Sequence, residues 1–141
     1  MKLPDTNVLL HSVNRDMPQH VTANEWLAAA FSAAAGVGLA WVALLGFVRL
    51  STRPGILSHP LKVEQAMQAL HYWLDHPRVQ VLHPTTRHAL VLGRLLTGAG
   101  TAGNLTTDAH LAALAIEHGA TLGSFDSDFE RFAGLRFDLL A

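Results

Sequence analysis

Four aspartates stand where a carboxylate is costly unless it is used. Asp5 lies in "LPDTNVLL", between a short apolar run and a second apolar segment. Asp108 opens "TTDAHLAALAIEH", and Asp126 and Asp128 lie in "SFDSDFERF". Carboxylates brought together repel one another unless a cation sits between them, and oxygen-only ligands with water suit Mg²⁺ or Mn²⁺. Such an ion lowers the pKa of a bound water and stabilises an in-line displacement at phosphorus. Each residue also has a plainer reading. Asp5 could cap the helix that follows it, Asp108 could favour a helix N-terminus through the macrodipole, and Asp126 could cap "SDFERF". The two readings part on whether the fold gathers the four at one edge.

Other chemistries find less support. The chain has nine histidines and no cysteine, so thiolate metal sites and disulfides are excluded. No H-E-x-x-H is present, and His110 and His118 lie two helical turns apart, too far to chelate one ion from adjacent turns. There is no G-x-x-x-x-G-K-[ST], no G-x-G-x-x-G after a strand and no G-x-S-x-G. "GAGTAGN" (residues 98–104) is glycine-rich without a lysine and reads as a loop. Trp26, Trp41 and Trp73 fall within apolar helical patterns and read as core or interface.

The elements that must position the acids follow from periodicity. "MKLPD" reads as a short strand and "TNVLLHSV" as a helical turn or two after it. Residues 20–35 carry apolar side chains at helical spacing, with Gly36 and Gly38 as the stop. "VGLAW" reads as the second strand and "VALLGFVRLST" as the helix leading to Pro54 and Gly55. A helix spans 63–74, a strand 79–82, and a helix 85–96. After the glycine loop, "TTDAHLAALAIEHGA" is an amphipathic helix closed by Gly119. "TLGSF" is a strand, "DSDFERF" a helical turn and "GLRFDLL" a last strand. Strands alternating with helices imply a parallel sheet covered on both faces. In such a sheet ligands bind beyond the carboxyl ends of the strands, where Asp5, Asp126 and Asp128 fall.

With 141 residues, half of them hydrophobic and 15% charged, the chain fits one compact domain, 1–141. The formal net charge is −1, so nucleic acid cannot be held by bulk positive charge. The 22 residues from Leu27 to Val48 carry no charge and are long enough to span a bilayer. The central "GVGLA" argues instead for helix, buried strand and helix. With no secretory signal at "MKLPDTN", a cytoplasmic protein is expected.

At these residues the chain resembles a family. "LPDTNVLL", "GNLTTDAHLAALAIEHGATL" and "SFDSDFERFAGL" are similar to the PIN domain, and specifically to the VapC-type toxins of bacterial toxin–antitoxin pairs. The resemblance covers the whole chain, and its C-terminal motif is the more specific. It implies a PIN-like three-layer α/β sandwich, with a short parallel sheet flanked by helices. It implies a Mg²⁺- or Mn²⁺-dependent ribonuclease in which Asp5, Asp108 and Asp126 are catalytic. The same three, with Asp128 beside them, would hold the metal, and Thr6 and Asn7 match the polar pair that follows the first acid. One position departs from the pattern: Gly46 stands in "WVALLGFVRL" where the family carries a glutamate. Glycine inside a helix costs about 1 kcal/mol relative to alanine, which suggests close packing there. Glu25 and Glu64 are the possible replacements, though nothing in the sequence puts either at the site.

Arg49 and Arg53 follow Gly46 and read either as contacts to RNA phosphates or an antitoxin carboxylate, or as solvated helix-end cations. Arg87 and Arg94 lie on one helical face and read as surface. The expected function is a metal-dependent endoribonuclease toxin acting on tRNA, rRNA or mRNA, with a cognate antitoxin and a homodimeric state. The alternative is a catalytically silent PIN-like module that binds RNA or protein, with Gly46 marking the lost acid.

Overall fold

A computed structural model describes residues 1–141. Along the chain run β1 (Lys2–Pro4), α1 (Thr6–Val13), α2 (Gln19–Ser32), β2 (Val37–Leu39), α3 (Trp41–Thr52) and α4 (Val63–Leu74). Then come β3 (Val79–Val81), α5 (His88–Ala99), α6 (Thr106–His118), β4 (Thr121–Ser124) and β5 (Arg136–Leu139). Short 3₁₀ turns lie at Gly103–Leu105 and Ser127–Arg131. All five strands pair in parallel in the order β3-β2-β1-β4-β5.

The sheet is the middle of three layers. Val37 and Leu39 turn into a core built by Val8, Leu27, Leu44, Phe47 and Leu70 of α1–α4. Leu3 and Leu122 turn the other way, into a core with Val91 and Leu95 of α5 and the alanine-rich α6. Full burial of side chains of this size stabilises by about 1.5–3 kcal/mol each, which is why strands three or four residues long suffice. In α6, Ala109, Ala112, Ala113 and Ala115 are all fully buried, so that helix lies close against its neighbours. Its fixed approach matters, because its first turn carries Asp108.

Two polar clamps brace the layers. The Asp138 carboxylate on β5 accepts from Lys2 Nζ at 2.6 Å and from Trp26 Nε1 at 3.0 Å. The Trp26 ring lies over Gly123 so closely that a Cβ there would fall inside it. Glu117 at the end of α6, its side chain only 2% exposed, ties down the entry to α5. It accepts from the Thr85 N–H at 3.0 Å, the Thr85 hydroxyl at 2.5 Å and His88 Nδ1 at 2.5 Å. His88 Nε2 in turn meets His110 Nδ1 at 2.8 Å. Burial pushes the Glu117 carboxyl up, but the Thr85 and His88 bonds outweigh it and hold it below its ordinary value.

Several boundaries differ from expectation. The helix expected over 85–96 runs from His88 to Ala99, because Thr85 spends its donors on Glu117 and Gly100, at φ 77°, is the actual C-cap. Part of the expected glycine loop is therefore helical. The first long helix ends at Ser32, with Ala33 extended as its C-cap, ahead of the turn at Gly36. The uncharged stretch from Leu27 to Val48 divides into the end of α2, all of β2 and most of α3, and no helix is long and apolar enough to cross a membrane.

Candidate active site

The strand order reverses between β1 and β4: the chain builds outward from β1 to β3 on one side, then returns to add β4 and β5 on the other. A crevice opens beyond the carboxyl ends of two such strands. Asp5 is the first residue past β1, and its N–H donates to the Gly123 carbonyl of β4 at 2.9 Å. Asp126 lies two residues past the end of β4. Because α6 leads directly into the start of β4, its own N-terminus, with Asp108, comes back to the same edge.

Ser124 organises this edge. Fully buried at the end of β4, its hydroxyl donates to Asp5 Oδ2 at 2.7 Å and accepts from Asn7 Nδ2 at 3.0 Å and from the Asp126 N–H at 3.0 Å. The Asn7 amide oxygen accepts the Phe125 N–H at 3.2 Å. One hydroxyl and one amide thus lock the loop after β1 to the loop after β4. The plainer reading of the acids holds as well: Asp5 Oδ1 accepts the Thr6 N–H at 2.7 Å and Asp126 Oδ1 accepts the Asp128 N–H at 2.9 Å. Capping uses one oxygen of each carboxylate; the second oxygen of Asp5 accepts from Ser124, and that of Asp126 has no hydrogen-bond partner.

Of the four carboxylates at this edge only Asp128 has a cationic partner; Asp5, Asp108 and Asp126 have none. Burial pushes the Asp5 carboxyl above its ordinary value, against the Ser124 and Thr6 bonds, and the Asp126 charge adds to the rise. Asp108 accepts no hydrogen bond, and its carboxyl is pushed up to about 6 by burial, with the charges of Asp5, Asp126 and Asp128 adding to it. Asp128 pairs with Arg131 at 3.3 Å. Asp5 and Asp108 line a cavity of about 480 Å³ together with Thr6, Gly46, Arg49 and Thr107. No three carboxylate or imidazole groups converge closely enough to ligate one ion without help.

A model of the PIN domain matches residues 2–135. The chain belongs to the PIN-domain family. Ribonuclease VapC37 of Mycobacterium tuberculosis is 50% identical over 138 residues, covering 98% of this chain and 96% of that protein. Ribonuclease VapC33 of the same species is 39% identical over 137 residues, covering 97% and 96%. Among solved structures, VapBC2 of Rickettsia felis, bound to a DNA fragment from its promoter, superposes with a TM-score of 0.67. That match covers 97% of this chain and 96% of the other at 21% identity, so it speaks for the fold.

Within this PIN domain the expected residues separate into groups. Asp5, Asp108 and Asp126 come to one edge with Asp128 beside them, close enough for their charges to add to the rise of the Asp108 carboxyl, and of the four only Asp5 and Asp108 line the cavity. Asn7 bonds to Ser124, whereas Thr6 lines the cavity with Asp5 and Asp108 but spends its hydroxyl proton on the Ala43 carbonyl at 3.2 Å. A Cβ on Gly46 would sit 2.6 Å from Thr6 Oγ1 and 3.0 Å from its Cγ2, so close packing of α3 on α1 is the reason for glycine there. Arg49 lines the cavity without an ion pair; Arg53, the C-cap of α3, does not line it. Neither Glu25 nor Glu64 lines it, so no acid replaces the missing one. Ser124 escaped sequence reasoning: it reads as the end of a strand, and a hydroxyl two residues before Asp126 is its only cue.

Proposed function

We propose that this PIN domain is a Mg²⁺- or Mn²⁺-dependent endoribonuclease, the toxin of a type II toxin–antitoxin pair. The observation that carries the reading is the unbalanced carboxylate edge, where the Asp108 carboxyl is raised to about 6 by burial and by three neighbouring aspartates. A divalent cation relieves that repulsion. Mg²⁺ is commonly held by one or two carboxylates, several waters and a substrate phosphate, so a site without three converging side chains fits it. Asp5, Asp108 and Asp126 would hold the ion, with Asp128 in reserve, and the ion would activate water and stabilise charge developing on a phosphodiester. Ser124 and Asn7 keep Asp5 and Asp126 in register, so the cost of ordering the acids is met by the fold and not at the moment of reaction. Two relatives at 50% and 39% identity carry the name ribonuclease VapC, which supports the same activity here. Arg49 and Arg53 would meet RNA phosphates or the antitoxin, and the VapBC neighbour supports such a partner. The α2 and α4 faces would serve a homodimer or the antitoxin.

The test is cleavage of total RNA by the chain freed of its antitoxin, before EDTA, after EDTA and after Mg²⁺ or Mn²⁺ is returned. Cutting that stops and resumes supports the reading. Cutting that ignores EDTA removes the metal from the account, and no cutting under any condition favours the silent binding module.

A further inference from the structure

The cavity at the carboxylate edge has two unlike walls. One carries Asp5 and Asp108 among Thr6, Thr107 and Leu111. The other is α3, which contributes no acid: its lining is apolar save for one cation, Arg49, three residues from Gly46 on the same helix. No side chain can be added at Gly46 without displacing Thr6, so α3 cannot offer a carboxylate from there in this packing. Arg49 shares the cavity with two carboxylates yet pairs with neither, and makes no other hydrogen bond. At about 480 Å³ the space falls in the ordinary range for a small-molecule site. Leu45 on the same wall is 61% exposed, an apolar surface facing solvent at the cavity mouth.

We propose that the space over Gly46 is a phosphodiester subsite anchored by Arg49, and that the bound RNA phosphate supplies the anionic ligand that α3 lacks. The inference rests on the carboxylate edge being a divalent-metal site. A guanidinium grips a phosphate through two parallel N–H donors, leaving the far oxygens turned towards the acids. A cation held there gains an oxygen ligand, and the phosphate gains a cation. Metal and phosphodiester therefore bind with positive coupling, and the coupling is reciprocal. Leu45 would carry a base or ribose face, which sets the ligand class as a nucleotide diester in place of free phosphate.

The experiment is Mn²⁺ titration calorimetry on the 141-residue chain, with and without a ribodinucleotide whose bridging phosphate oxygens are replaced by methylene groups, so that it binds but is not cut. The readout is the ratio of the two Mn²⁺ dissociation constants. We expect a ratio of about ten or more in the wild type, near one in Arg49→Gln, and only partly restored in Arg49→Lys, with Arg94→Gln on α5 matching the wild type. Mn²⁺ binding that Asp5→Asn abolishes but the dinucleotide does not tighten would overturn the subsite and leave the metal site standing. A ratio of ten that survives Arg49→Gln would overturn the role of Arg49. No Mn²⁺ binding with or without dinucleotide would overturn the metal reading and this inference with it.

Discussion

Replacing Asp108 by Asn should stabilise the metal-free protein near neutral pH, although the residue is a candidate metal ligand. In the folded chain the Asp108 carboxyl sits at about 6, against an ordinary 3.8. Between those values the folded state holds a proton that the unfolded state has released. Stability is therefore intact below about pH 4 and falls as pH rises through 6. The rise corresponds to about 3 kcal/mol. Asp108 is only half-buried, and solvent screening reduces the figure to about 1–2 kcal/mol. For a chain of this length that is roughly 3–8 °C in melting temperature. The assay is thermal melting of wild type and Asp108→Asn in EDTA at several values of pH. The two should nearly coincide at pH 4, with the variant melting higher by pH 7.5. Millimolar Mn²⁺ should then raise the wild type and leave the variant where it was, since an ion bound only by the folded state stabilises it. A difference that does not change with pH, or a wild type more stable than the variant at pH 7.5 in EDTA, would refute the charge argument.

Other perturbations test the supporting residues. Ser124→Ala removes the buried donor to Asp5 Oδ2 and the acceptor of two further N–H groups, and should cost about 1–3 kcal/mol in urea denaturation together with most of the RNA cleavage. Gly46→Ala should destabilise, despite alanine's better helix propensity, because its Cβ meets Thr6. Adding Thr6→Ala should recover part of the loss, and additivity in that double-mutant cycle would show that the two residues do not touch. Glu117→Gln should cost about 2 kcal/mol at pH 7, where the carboxylate is ionised. Because its folded pKa lies below the ordinary 4.5, that contribution is present above 4.5 and is lost as pH falls through the folded value, so the two chains should converge in acid.

The sequence was most legible where local rules decide the outcome. The α4 boundaries, 63 and 74, matched the periodic pattern, and the three-layer parallel architecture followed from the alternation of strands and helices. Asp5 and Asp126 could be read as candidates because each stands within two residues of the end of a strand. The start of α5 could not, because Thr85 is held by Glu117, 32 residues away. Nor could Ser124, whose bond to Asp5 spans 119 residues and leaves no periodic trace. Arg49 and Arg53 looked alike in sequence, and only the packing of α3 against α1 and α6 puts one of them on the cavity and leaves the other off it. Gly46 was readable as an anomaly, but its cause, contact with Thr6 on another helix, was not.

A shared metal site requires that the three gathered aspartates do one job. The most direct measurement is the rate of RNA cleavage in saturating Mg²⁺ by Asp5→Asn, Asp108→Asn and Asp126→Asn, singly and all together, with folding checked by melting. The account predicts that each single variant loses at least about a hundredfold while remaining folded, and that the triple variant is little worse than the worst single, as for residues acting as a unit. Folded single variants that cut RNA at near wild-type rates would contradict it, and would leave these carboxylates as helix caps.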